Sequence, residues 1–112
     1  MSAMFRPQPN GVLVVDLDRE LDLYTAPDFR SLLLHRITAG EIRVVLNCAA
    51  LNYIDSSGIG AVVICKQQAH RAGGDVRMAA VASNPRKVFE LTNLTSVFRT
   101  FPDEAGAVAS FS

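Results

Sequence analysis

One segment of the sequence, residues 51–60, brings together two hydroxyl groups, a carboxylate and two glycines where a loop is predicted to lead into a helix. Ser56 and Ser57 follow Asp55 and precede Gly58 and Gly60. A serine at a helix N-terminus lies near unpaired backbone N–H groups and the positive end of the helix dipole, which would stabilise a phosphate on its oxygen. The glycines would let another protein's backbone or a kinase's nucleotide approach the hydroxyl closely. The segment therefore suits a serine that becomes phosphorylated.

The same residues also fit a simpler structural role. Ser56 or Ser57 would cap the helix, while the glycines would allow it to pack closely on a sheet. A dinucleotide-binding loop would need a third glycine at position 63, where the chain has Val63. A nucleophile elbow would need a glycine two positions before the serine, and nothing in the spacing brings His35 or His70 to Ser56. Phosphorylation and capping stay open, whereas a nucleotide loop and a serine hydrolase are disfavoured.

The hydrophobic pattern places this segment in a chain whose strands alternate with helices. Strands are predicted near residues 4–6 and at residues 12–17, 42–46, 76–81 and 97–101. Helices are predicted from residue 25 to a stop at residue 40, from the serine segment to residue 72, from residue 84 to 91, and near residues 103–109. Thr25 would cap the first helix, and the Asn10-Gly11 pair would turn an N-terminal hairpin. The alternation predicts an α/β fold, one domain over residues 1–112, with a mixed four- to five-stranded sheet and about four helices.

Apolar residues at helical and strand spacings predict the core. The residues expected to be buried are Phe29, Leu32, Leu33, Phe89, Leu91, Leu94, Val97 and Phe98. Lys66 and Arg71 are expected on a solvated helix face. Cys48 and Cys65 show no CxxC spacing and no matching histidines, so we expect buried reduced thiols, no metal site and no cofactor.

Charge and hydropathy narrow the range of partners. Lys plus Arg and Asp plus Glu number 11 each in 112 residues, so no overall positive field attracts a phosphate backbone, and direct nucleic-acid binding is disfavoured. No stretch reaches the roughly 18 apolar residues of a spanning helix, and residues 1–10 lack a signal-peptide apolar region, which predicts a cytoplasmic protein without a membrane partner. Asp16, Asp18, Glu20 and Asp22, offset only by Arg19, predict an acidic rim that could meet a basic partner.

Three segments resemble the STAS-domain anti-sigma factor antagonists of bacteria. They are Glu20-Leu-Asp-Leu-Tyr-Thr-Ala-Pro27, the stretch Val44-Val-Leu-Asn47 leading to Asp55-Ser-Ser-Gly-Ile-Gly60, and Leu91-Thr-Asn-Leu94 followed by Val97-Phe98. The segments cover nearly the whole chain in the family's order, and the D-S-S-G-[IL]-G element is quite specific in this setting. One departure is Arg19, which stands where the family usually has glycine before Glu-Leu-Asp and would alter the loop or add a charge at the partner edge.

The resemblance implies a regulator rather than an enzyme. In its unphosphorylated form it would bind an anti-sigma factor that is also a serine kinase, and so free a sigma factor for transcription. Phosphorylation would fall on Ser56, the first serine after the aspartate, and a metal-dependent serine phosphatase would reverse it. The implied partner contacts are Asp22, Tyr24, Thr25, Asp55, Ser56, Ser57 and Gly58. An alternative is a constitutive STAS interaction module of a stress-sensing or lipid-transport complex, without a phosphorylation switch.

Overall fold

A five-stranded mixed sheet forms the centre of the computed structural model, which describes residues 3–112. The strands are β1 (Ala3–Pro7), β2 (Leu13–Leu17), β3 (Glu20–Leu21), β4 (Arg43–Asn47), β5 (Tyr53–Ile54), β6 (Asp75–Ala79) and β7 (Thr100–Phe101). The helices are α1 (Ala26–Thr38), α2 (Ser56–Arg71), α3 (Ser83–Leu91) and α4 (Glu104–Ala109), with a 3-10 turn at Leu94–Ser96. The predicted α/β fold, with its mixed sheet and four helices, is confirmed.

The strand order of the main sheet is β1-β2-β4-β6-β7. β1 runs antiparallel to β2, and the other neighbours are parallel, since a helix crosses over between successive strands. The predicted N-terminal hairpin is confirmed: Gly11 adopts a φ of 83° and its N–H donates to the Gln8 carbonyl at 3.0 Å. A second, two-stranded sheet pairs β3 with β5, and the sequence did not predict it.

The two faces of the main sheet carry separate apolar clusters. Alternation along β2 directs Leu13 and Val15 into the large core that also contains Phe29 and Leu33 of α1. The other face is smaller, and its buried members are Val12, Val14, Val45, Ala79 and Ala107. α1 and α2 therefore lie over the large core, and α4 covers the opposite face.

Asp16 belongs to the α4 face of the sheet, which corrects the predicted acidic rim. Its carboxylate pairs with Arg6 and accepts a hydrogen bond from Asn47 Nδ2 at 3.0 Å, and Arg6 also pairs with Glu104 at the start of α4. The Arg6 guanidinium is the main reason that the pKa of Asp16 is lowered. Asp18 lines a separate cleft together with Asp16, so of the four predicted rim acids only Glu20 and Asp22 adjoin the serine segment, through the pairing of β3 with β5.

Three predicted core residues are instead exposed. Leu32 points away from the buried stripe of α1, because that stripe follows the positions of Phe29 and Leu33. Leu91 ends α3 two positions after the buried Phe89, so it faces away from the core and is 88% exposed. Val97 is 47% exposed because the last strand begins only at Thr100, after the 3-10 turn. The remaining predicted core residues are Phe29, Leu33, Phe89, Leu94 and Phe98, and all are buried.

Lys66 is not on a solvated face as predicted, whereas Arg71 is exposed. The Lys66 ammonium pairs with Asp75 and lies 5.6 Å from the centre of the Phe98 ring. Arg77 Nε also donates to Asp75, at 3.0 Å. The side chains of Lys66 and Asp75 are only 16% and 15% exposed, so this pair ties α2 to β6 in a partly desolvated setting.

Replacement of Asp75 by Asn is expected to lower the free energy of unfolding at neutral pH, and the loss should shrink in acid. Burial acts to raise the pKa of Asp75, but Lys66 and Arg77 outweigh it and the pKa is lowered. A carboxyl with a lowered folded pKa stabilises the fold above its unfolded pKa of about 3.9 and loses that contribution as the pH falls through the folded value. Urea unfolding of both proteins at about pH 7 and about pH 3 measures the difference. An equal difference at both pH values would contradict the prediction.

Candidate functional site

The small β3–β5 sheet brings the serine segment next to the loop after β3. The two strands run parallel, with Glu20 opposite Tyr53 and Leu21 opposite Ile54, so Asp22 and Asp55 leave the sheet side by side. The Asp55 N–H continues this pairing by donating to the Leu21 carbonyl at 3.3 Å. Residues distant in sequence are thereby placed at one edge of the molecule.

Asp55 joins that loop to the start of α2. It precedes the helix with extended backbone angles, and its Oδ1 accepts a hydrogen bond from the Gly58 N–H at 3.1 Å. Its Oδ2 accepts from the Leu23 N–H at 3.0 Å. The interpretation that Ser56 or Ser57 caps α2 is therefore wrong, because Asp55 holds the capping position and the serines are the first two helical residues.

Asp22 and Thr25 form a compact turn before α1. Asp22 Oδ1 accepts from the N–H groups of Tyr24 at 2.9 Å and Thr25 at 3.1 Å, while Thr25 Oγ1 accepts from the Asp22 N–H at 3.0 Å. Desolvation acts to raise the pKa of Asp22, but the N–H groups of Tyr24 and Thr25 and the Thr25 hydroxyl all donate to its carboxylate and outweigh desolvation, so the pKa is lowered. Thr25 stands at the start of α1 without a side-chain cap bond, so its predicted capping role is wrong. Its hydroxyl holds the turn instead.

Ser56 is exposed and Ser57 is half-buried. Within residues 3–112, no side chain or backbone group forms a hydrogen bond with the Ser56 hydroxyl. The N-terminus of α2 is capped by the Asp55 carboxylate instead. Both serines line a cleft of about 280 Å³ between α1 and α2. The other lining residues are Leu23, Ala26, Pro27, Arg30, Gly60, Ala61 and Ile64. Ser56 therefore offers an unengaged nucleophilic oxygen at the mouth of a cleft.

The two glycines of the segment have different surroundings. Gly58 is buried, and a Cβ there would collide with the Leu21 carbonyl oxygen and lie 2.7 Å from Ile54 Cγ1. Gly60 is exposed, and a Cβ there would meet nothing within 4 Å. Gly58 thus permits close packing of α2 on the small sheet, so any effect on a partner would be indirect, whereas Gly60 leaves the cleft open.

Exposed apolar side chains lie on β5 and on the loop after β3. Tyr24, predicted as a partner contact, is 86% exposed, and Leu23 beside it is 63% exposed. Tyr53 on β5 is also exposed. Sequence analysis did not select Leu23, Tyr53 or the cleft residue Arg30. Arg30 could have been found from helical spacing, because it lies four residues after Ala26, whereas the neighbours of Tyr53 depend on the unpredicted β3–β5 pairing.

Replacement of Asp55 by Ala is expected to destabilise the protein by about 0.5–2 kcal/mol, the usual cost of losing a helix cap. The N–H groups of Leu23 and Gly58 lose their shared acceptor, so their hydrogen exchange should accelerate. Denaturant unfolding and amide exchange by NMR measure both effects. Ser56→Ala is the matched control, because its hydroxyl engages neither group. Wild-type exchange at both amides in Asp55→Ala would show that Asp55 does not hold the loop.

The fold and the site together define a class of protein: an α/β domain with a mixed sheet, presenting an exposed serine in the first turn of a helix. The described residues 3–112 contain no group of three or more His, Cys, Asp or Glu side chains placed to hold a metal ion. Within the same range, no helix has the length and apolar character needed to cross a membrane. Cys48 and Cys65 are buried free thiols, as predicted, and burial raises the pKa of each to about 12.

The chain belongs to the STAS domain family, whose model matches residues 5–107. BtrV of Bordetella bronchiseptica, provisionally named an anti-sigma factor antagonist, is 28% identical over 102 residues, covering 91% of this chain and 88% of BtrV. The anti-sigma F factor antagonist of Paenibacillus polymyxa is 25% identical over 99 residues, covering 88% of this chain and 85% of the relative. The predicted family resemblance is confirmed.

A solved structure shows the same fold. It is the Bacillus cell fate determinant SpoIIAA in its phosphorylated form, with a TM-score of 0.78 at 22% sequence identity, over 98% of this chain and 99% of that one. At this identity the similarity establishes the fold. The named relatives are antagonists of regulatory factors, a class of binding protein rather than of enzyme.

Proposed function

We propose that this protein is a cytoplasmic anti-sigma factor antagonist controlled by phosphorylation of Ser56. In its unphosphorylated form it binds an anti-sigma factor that is also a serine kinase, and so releases a sigma factor. The observation that carries the proposal is the Ser56 hydroxyl, which is exposed and unengaged at the first serine after the aspartate of the family's D-S-S-G element. The names of the relatives support the antagonist role.

The switch consists of one group transfer and its reversal. The kinase moves the γ-phosphoryl group of ATP to Ser56 Oγ: the bond from the γ-phosphorus to the bridging oxygen breaks, a bond to Oγ forms and ADP leaves. The hydroxyl proton passes to a base on the kinase. A metal-dependent serine phosphatase reverses the step by adding water to the phosphorus, which returns the serine and releases inorganic phosphate.

Charge explains how phosphorylation would release the partner. The phosphate adds roughly −1.5 to −2 charges beside Asp22 and Asp55, on a surface that the partner must desolvate. The 16-residue helix α2 stabilises that charge at its N-terminus in the free protein. Both effects favour the dissociated state, and neither requires a change of fold.

The surface around Ser56 has the composition of a protein interface. Leu23 and Tyr24 offer exposed apolar area, and Glu20, whose carbonyl accepts a hydrogen bond from Thr25 Oγ1 in the same loop, is an exposed acid. We propose that Asp22, Tyr24, Thr25, Asp55, Ser56, Ser57 and Gly58 form or support the contact region. The fitting partner presents an apolar centre with a basic rim.

Mass spectrometry with site mapping tests the proposal. The protein is incubated with ATP and each candidate anti-sigma kinase of the same genome, alongside Ser56→Ala and Ser57→Ala. We expect one phosphate on the wild type and on Ser57→Ala, and none on Ser56→Ala. The alanine at position 56 should leave stability nearly unchanged, because Asp55 provides the cap.

Two outcomes would contradict the proposal. A phosphate that persists in Ser56→Ala would refute the site. A stable complex with an anti-sigma factor but no phosphate from any kinase would favour the constitutive interaction module.

A further inference from the structure

The cleft beside Ser56 contains a single charged residue. Among the residues that line it, Arg30 of α1 is the one with a formal charge, and it shares the cleft with Ser56 and Ser57 of α2. The nearby acids Asp22, Asp28 and Asp55 do not line the cleft. A group added to the Ser56 oxygen on this side would therefore face a positively charged wall.

Of the Lys and Arg residues of α1 and α2, Arg30 is also the one near Ser56 whose charge is not already paired with a carboxylate. α1 and α2 carry four Lys or Arg residues. Arg36 pairs with Glu41, Lys66 pairs with Asp75, and Arg71 lies at the far end of α2. Within residues 3–112, Arg30 forms no ion pair and no side-chain hydrogen bond.

Arg30 lies close to α2. Burial raises the pKa of the Cys65 thiol on α2 to about 12, and the positive charge of Arg30 opposes this rise. Arg30 also lines the same cleft as Ser56, Ser57 and Ile64 of α2, which places it in the cleft wall opposite that helix. A guanidinium binds two phosphate oxygens in parallel, which gives a directed contact rather than a diffuse attraction.

We infer that Arg30 is the intramolecular partner of a phosphate on Ser56, and that their ion pair bridges α1 and α2 across the cleft. The inference rests on the proposed phosphorylation of Ser56 and describes how the inactive state is built. The phosphate and guanidinium occupy the cleft, so a partner side chain can no longer enter it. The phosphorylated protein is thus held inactive by its own contacts as well as by the cost of desolvating the phosphate against the partner.

Phosphorus NMR tests this pairing without the kinase. Phosphoserine is installed at position 56 by genetic encoding, in the wild-type background and with Arg30→Gln or Arg71→Gln. Arg71→Gln is the matched control, since it removes the same charge about 22 Å along α2 from Ser56. The second pKa of phosphoserine is normally about 6, and a neighbouring cation lowers it.

We expect the phosphate pKa of Arg30→Gln to lie at least about 0.3 units above that of the wild-type background, and that of Arg71→Gln to match the wild-type background. The Nε–H signal of Arg30 should also shift when phosphoserine replaces serine. Equal phosphate pKa values in all three proteins, with an unshifted Arg30 signal, would overturn the inference. Binding of the anti-sigma kinase is measured separately: if phosphoserine abolishes it while the pKa values are equal, the proposed function stands and the Arg30 pairing fails.

Discussion

Phosphoserine at position 56 is expected to weaken binding of the anti-sigma kinase by about a thousandfold, which corresponds to roughly 4 kcal/mol. The unphosphorylated interface must accommodate a neutral, exposed hydroxyl. A phosphate there introduces a charge that the partner has to desolvate or repel, and charge mismatches at interfaces cost several kcal/mol. Titration calorimetry with the encoded phosphoserine protein measures the change directly.

A control protein with phosphoserine at another position separates the effect of modifying Ser56 from the effect of added net charge. Phosphoserine at position 112 adds the same charge at an exposed residue after α4, which covers the other face of the sheet. We expect its affinity for the kinase to stay within a few-fold of the unmodified protein, because an exposed charge outside the contact region is screened by salt. Equal weakening by both modifications would show that Ser56 has no special position in the interface. Unchanged affinity with phosphoserine at 56 would refute the switch.

Local patterns predicted the buried face of α1 and the N-terminal hairpin correctly. The positions of Ala26, Phe29, Leu33 and Ile37 repeat at three and four residues, and this stripe is the buried face of α1. Gly11 supplied the turn conformation that its pairing with Asn10 predicted. Such features depend on residues close in sequence, so a single chain is sufficient to find them.

Contacts between distant residues were not predictable in the same way. β3 and β5 contain two residues each, too few for any periodicity, and they form only because each supplies the other's hydrogen bonds. The identity of the residue that caps α2 also depends on a contact between residues distant in sequence. Asp and Ser are about equally good caps, and Asp55 is selected because its second oxygen also reaches the Leu23 N–H across the unpredicted strand pair. The type of site was thus predictable, and its supporting contacts were not.

Alanine substitutions at Gly58 and Gly60 are expected to change stability in opposite directions, although both residues lie in the first turns of α2. Gly58→Ala should cost about 3 kcal/mol, because its methyl would collide with the Leu21 carbonyl and the packed backbone must shift. Gly60→Ala should add about 0.5–1 kcal/mol, because alanine favours a helix over glycine and its methyl meets no atom within 4 Å. Denaturant unfolding of the two variants gives the comparison, and destabilisation by both would contradict the assignment of open space at Gly60.

The Gly60→Ala variant also distinguishes an effect on partner binding in the cleft from an effect on the stability of the fold. Gly60 lines the cleft together with Ser56, so an added methyl reduces the space that a partner side chain could occupy there. We expect the unphosphorylated Gly60→Ala protein to be more stable than wild type and yet to bind the anti-sigma kinase at least tenfold more weakly, a loss of about 1.4 kcal/mol. A loss of stability cannot cause that result, because the stability change has the opposite sign. Wild-type affinity would place the partner on the exposed Leu23 and Tyr24 side chains alone and remove the cleft from the interface.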